Sequence, residues 1–242
     1  GRSSNTNVSW IQGIDFSKIT SSVFNFTADA SSTNFVNSGS MIAPSGLLSI
    51  AGNYVNNGTS TFSSGTTTFN GTGVQYLSGT MTGSSQFNGI EITNTTATTT
   101  LMDAASSTAT FTAEIGGIRL EFGGATTTFQ NINIAGASGN EVYLHSTTTN
   151  DTTNPAFGFE VSGDRNVAFA NIKDSNACYI AGNDISTSNT TDGGNNTCWS
   201  ISVAFNGSIS SAFSQIFEVA GSATSAPSIT ITDGTTATFT TT

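Results

Sequence analysis

The chain has 242 residues, five Lys and Arg against fifteen Asp and Glu, and a net charge of −10. Thr (42), Ser (35), Gly (26) and Asn (24) make up 127 of its residues, and only 8% are charged, where about 25% is usual for a soluble domain. This excludes a basic nucleic-acid binder, because Arg2, Lys18, Arg119, Arg165 and Lys173 are too few and too scattered to follow phosphates; it excludes a membrane helix, because no apolar run approaches about 18 residues; and the scarcity of Lys, Glu, Leu, Gln and Arg argues against helices generally.

Disorder is also a poor description. Hydrophobic residues are 36% of the chain and include 17 Phe, whereas disordered segments lack aromatic and β-branched residues. Phe, Ile, Val and Thr suit a pleated surface. The length fits one large all-β domain.

Short runs of period two recur along the chain, each the mark of a strand buried on one face. Leu47–Ile50 is an early apolar run. Ile118, Leu120 and Phe122 alternate with Arg119 and Glu121. Val142 and Leu144 alternate with Glu141, Tyr143 and His145. Phe157, Phe159 and Val161 follow, then Trp199, Ile201, Val203 and Phe205, then Ile229 and Ile231. Gly, Asn, Ser and Thr clusters between the runs read as turns.

An internal repeat organises these runs. Phe87-Asn-Gly-Ile90-Glu-Ile92 matches Phe129-Gln-Asn-Ile132-Asn-Ile134, then Phe169-Ala-Asn-Ile172-Lys-Asp174, and more weakly Phe213-Ser-Gln-Ile216-Phe-Glu218. Leu47-Leu-Ser-Ile50 reads as an earlier copy. The step between copies equals two turns of a parallel β-helix at roughly 20 residues each, with strands about 4.8 Å apart. Inward Phe and Ile would then stack in ladders that one turn alone could not bury. The alternative is a β-sandwich joined by hairpins. The spacing from Cys178 to Cys198 equals one such turn, which brings their Cα atoms within disulfide range. In an oxidising compartment a Cys178–Cys198 bond is expected; two free buried thiols are the other reading.

Residues 52–93, GNYVNNGTSTFSSGTTTFNGTGVQYLSGTMTGSSQFNGIEIT, resemble a repeat of secreted and surface-anchored bacterial proteins. The shared elements fall at Gly52–Thr59, Gly65–Thr72, Gln75–Gly79 and Phe87–Ile92. Residues 169–201 resemble the closing turns of the same proteins. The resemblance implies an all-β fold, a right-handed parallel β-helix of the adhesin or filamentous-haemagglutinin kind, and no enzyme. Two departures stand out: the cysteines are foreign to the closing pattern, and the chain runs on well past Trp199, to Thr242. The expected organisation is therefore β-helix turns over 1–201 and a strand-rich C-terminal segment over 202–242, serving as a cap or an inter-subunit strand. With Gly1 in place of Met and no visible leader, the chain reads as a mature form or a fragment. The nine Asn-x-Ser/Thr sequons are about what this composition supplies by chance.

The chemistry legible in the sequence is sparse. Asp164, Asp174, Asp184 and Asp192 are the clustered acids, and only Asp164 with Asp184 fits successive turns as a carboxylate pair. His145 is the sole histidine and reads as a surface residue on a strand, with no nucleophile elbow to serve. No cofactor is expected. Calcium is the one metal to consider, in Asp/Asn loops such as Asn183-Asp184 or Asp192. The leading expectation is an extracellular structural protein, a surface or filament-forming subunit stacking head to tail on copies of itself. The second is an adhesin-type module for a glycan or host surface, which an outward row among Tyr54, Tyr76, Tyr143 and Tyr179 would favour. A polysaccharide-cleaving enzyme is the third.

Overall fold

A computed structural model describes residues 34–147, 157–178 and 184–201, together with the backbone of the strands Asn7–Trp10, Ile14–Asp15 and Phe24–Phe26 and of Ser202. Among these residues the only helix is one 3₁₀ turn, Gly83–Ser85. The strands form a nine-stranded sheet (sheet 1), an eleven-stranded sheet (sheet 2) and a three-stranded sheet (sheet 3). In sheets 1 and 2 the neighbours in space are not neighbours in sequence. The chain passes from Tyr54–Asn56 in sheet 1 through Thr59–Thr61 in sheet 3 to Thr66–Phe69 in sheet 2, then returns to sheet 1 at Gln75–Gly79. Each of these strands pairs in parallel with the equivalent strand one turn away. The fold is a parallel β-solenoid, and hairpin-linked sandwich layers are absent from the described residues.

Sheet 1 register measures the turn. Phe35 pairs with Tyr54, Tyr54 with Leu77, Leu77 with Leu101, Leu101 with Phe122 and Phe122 with Ser146. The turn from Phe35 to Tyr54 is the shortest of these, and those from Leu77 to Leu101 and from Phe122 to Ser146 are the longest. Residue types alternate because the two sides of each strand face different media: Ile118, Leu120, Phe122, Val142 and Leu144 are fully buried between the sheets.

The Phe-x-x-Ile repeat spans two turns, as its spacing suggested, for its first two copies. Phe87 bridges Ser107, which pairs with Phe129; Ile90 pairs with Phe111, which pairs with Ile132. Leu47–Ile50 lies in the same ladder, with Leu48 level with Thr67 and then Ile90. The third copy does not continue it. Ile172 pairs with Leu144 in sheet 1, and Phe169 has φ of 49°. The reason is added chain: Thr126–Phe129 is covered by Phe157–Val161, whereas Ile132–Ala135 is covered by Arg165–Ala168. One strand thus supports two shorter ones, and the step from Ile132 to Arg165 is longer than any step of the sheet 1 ladder just traced. The copy at Phe213 lies outside the described residues, as does the whole of 203–242.

Aromatic rings carry the stacking. Phe111 stacks on Phe129 at 4.6 Å and Phe122 on Phe157 at 4.5 Å. Phe159 joins Phe129 to Trp199, at 5.4 and 5.6 Å. Nearer the N-terminus Phe35 stacks on Tyr54, which contacts Phe69 and Phe87. Polar ladders fill the corners. Asn37 donates to Asn56 Oδ1 at 2.9 Å, and each Oδ1 accepts the N–H two residues on, from Gly39 and Gly58. A side chain at Gly58 would run into the Gly39 carbonyl of the turn below, so these Asn-x-Gly corners stack only without one. Buried Gln75 donates to the Ile50 and Gly52 carbonyls and accepts from Gly71.

Two outcomes follow. Phe129→Ala removes a ring that stacks on Phe111 and meets Phe159 edge-on, and should destabilise the fold by about 3–5 kcal/mol, read from denaturant unfolding. Burial pushes the Tyr54 phenol well above its ordinary range, partly offset by its hydrogen bond to Ser60. The folded state keeps that proton while the unfolded state releases it, so stability is intact below about pH 10 and falls above it. Tyr54→Phe should weaken this alkaline loss, measured as unfolding free energy against pH.

Candidate functional surfaces

Among the described residues the inward positions are taken by the core, and the outward rows of the two large sheets differ sharply. On sheet 2 the rows read Ser49, Thr68, Glu91, Thr112, Asn133, Asn166 and Leu47, Thr66, Gly89, Thr110, Asn131. Several of these side chains bond each other. Thr68 donates to Glu91 at 2.7 Å, and Asn166 to Asn133 at 2.6 Å. Gly89 interrupts one row and leaves a shallow open hollow bounded by Leu47, Thr66, Glu91, Thr110 and Thr112.

Sheet 1 presents something else. Four large hydrophobic side chains are exposed among the described residues, Val74, Tyr76, Met102 and Ile115. Three of them belong to this face. Val74 and Tyr76 flank the inward Gln75, and Met102 follows inward Leu101 on the adjoining strand. Half-buried Val36 pairs with half-buried Val55 toward the N-terminus, and Val55 with Ser78, while Asn53 Oδ1 accepts the Tyr76 N–H. Toward the C-terminus the face turns polar. Exposed Arg119 pairs in register with Tyr143, and Tyr143 with Asn171. Thr100 pairs with Glu121, and Glu121 with His145. Lys173 follows inward Ile172. The Arg119 guanidinium lies 4.4 Å over the Tyr143 ring. The His145 ring meets the Tyr143 ring edge-on at 5.6 Å, and its Nε2 is 2.8 Å from Asn171 Oδ1.

The candidates read from the sequence therefore divide. Tyr76 and Tyr143 do share an outward face; Tyr54 is buried core, and Tyr179 lies outside the described residues. His145 faces outward as its strand pattern predicts. Of the acids, Asp174 is buried and accepts from Asn195. Asp192 accepts from the Gly194 N–H and from Asn196, the side-chain turn role common for Asp. Exposed Asp164 and Asp184 lie on neighbouring turns, and Arg165 reaches across to the Asp184 carbonyl at 3.4 Å. Asn183 lies outside the described residues. What the sequence reading missed is the company around Tyr76 and Tyr143: Val74, Met102, Arg119 and Asn171 are scattered along the chain, and only the turn length relates them.

Cys178 and Cys198 are joined in a disulfide, Cα to Cα 5.4 Å. Their turns are adjacent, as Asn176 bridges Thr197. Asp184 approaches the two sulfurs, but a disulfide offers no thiolate to a metal. No family model, no curated protein and no solved structure matches this chain.

The loop closed between Cys178 and Cys198 is worth about 3 kcal/mol in the chain-entropy view. Reduction, or Cys178→Ser with Cys198→Ser, should loosen the last described turns first. Trp199, buried against Phe159, reports this as a red-shifted fluorescence that precedes global unfolding.

Proposed function

We propose that this chain is an extracellular structural protein, a stiff β-solenoid rod without catalysis of its own, carrying one binding face in the manner of an adhesin module. The observation that supports this reading is the contrast between its two faces. Outward side chains of sheet 2 bond one another across turns, whereas sheet 1 leaves Val74, Tyr76, Met102 and Arg119 exposed together. Contiguous apolar exposure rimmed by polar groups marks interaction surfaces. The disulfide is compatible with an oxidising exterior, and no described helix is long and apolar enough to cross a membrane.

The rod would serve as a surface or filament subunit. A parallel solenoid ends on strand edges whose N–H and C=O groups must be capped or paired, and a second copy supplies a matching edge by a heterologous contact. The side chains of 1–33 and the segment 203–242 lie outside the described residues. Electron microscopy of the purified protein should reveal rods, lengthened into filaments wherever copies stack. Compact round particles at every concentration would overturn the structural reading.

A further inference from the structure

We propose that the outer face of sheet 1 binds a linear polysaccharide containing uronic acid, with Arg119 receiving the carboxylate and Tyr76 the apolar face of a sugar ring. The inference rests on the binding-face reading above and gives that face a ligand class.

The positive groups supply the first argument. The chain carries −10 overall, yet three Lys or Arg side chains fall among the described residues and two of them, Arg119 and Lys173, belong to this face, beside the only histidine. The third, Arg165, is committed elsewhere: its guanidinium donates to the Val161 carbonyl at 2.8 Å and to the Asp184 carbonyl. Arg119 is exposed, and among the described residues it has no hydrogen bond or ion pair, although Glu121 stands two residues away on the same strand. It is nonetheless held in place by the Tyr143 ring beneath it. A guanidinium fixed by an aromatic face, with its donors unengaged, is prepared for bidentate binding of a carboxylate.

Flatness and spacing supply the second. Successive strands repeat at about 4.8 Å across the sheet, close to the length of one sugar residue, so a linear chain laid across the strands meets one strand per ring. Tyr76 and Arg119 are two strands and one outward position apart, roughly 12 Å by these spacings, which is two to three rings. The exposed Tyr76 ring, with Val74 and Met102 beside it, offers the amphipathic surface that an aromatic side chain brings to a wet interface. The His145–Asn171 pair and Thr98 lie along the same rows to meet hydroxyls.

The test is affinity electrophoresis and calorimetry of the full chain with polygalacturonate and alginate, against the neutral polymers dextran and cellulose oligomers. Uronate polymers should bind and release as salt rises. Arg119→Gln should weaken that binding about tenfold or more, with Arg119→Lys recovering part of it. Tyr76→Ala should weaken it as well. Circular dichroism and melting should be unchanged for these exposed substitutions, so that lost binding is not lost folding. Unaltered uronate binding by Arg119→Gln, or its absence in the parent chain, overturns the proposal. Binding to neutral polymers that Tyr76→Ala abolishes and Arg119→Gln leaves intact overturns the uronate assignment but preserves the binding face. No binding to any of the four polymers, or binding indifferent to both substitutions, removes the face itself as a glycan surface.

Discussion

The backbone ladder between one turn and the next is the constraint on which everything else depends. A strand in this molecule satisfies its N–H and C=O groups on the equivalent strands above and below, not on a hairpin partner. Residues separated by one turn must then occupy equal positions, and like side chains fall on like. Inward, this makes columns such as Phe111 on Phe129. At corners it makes Asn37 on Asn56, where burial of an amide is tolerable only because the next turn supplies its partner. The abundance of Thr, Asn and Gly follows from the same rule, since corners repeat every turn and each needs a small or self-bonding residue.

That constraint tolerates insertion better than it tolerates misregister. Where extra chain enters after Ser146, the long strand Thr126–Ala135 keeps its pairing by taking two successors, Phe157–Val161 and Arg165–Ala168. The core column survives, because Phe157 and Phe159 still reach Phe122 and Phe129. Around Trp199 the disulfide adds a covalent tie between neighbouring levels.

Outward positions are released from this rule, and there the two faces diverge. A parallel sheet with one free face can carry hydroxyl and amide rows that bond to each other, and sheet 2 has them. On sheet 1 some outward groups bond one another, His145 with Asn171 and Thr191 with Glu141, but other side chains stand without a hydrogen-bond partner among the described residues: the exposed Val74, Tyr76 and Met102 and the Arg119 guanidinium over the Tyr143 ring.

The period-two runs, the Phe-x-x-Ile repeat and the cysteine spacing were enough to reach a parallel solenoid and the length of its turns, because each reports backbone geometry that is much the same in every turn. They failed at Phe169, whose motif imitates the repeat while Ile172 belongs to the other sheet, since local pattern cannot count inserted residues. They likewise could not separate Tyr54 from Tyr76: both stand in short mixed runs, and only packing sets one ring on Phe35 and the other in solvent. The architecture was thus legible from composition and periodicity. The gathering of Val74, Tyr76, Met102, Arg119, Tyr143 and His145 on one face was not, because residues as distant in sequence as Val74 and His145 come to share a surface only when the length of every intervening turn is fixed by the packed molecule.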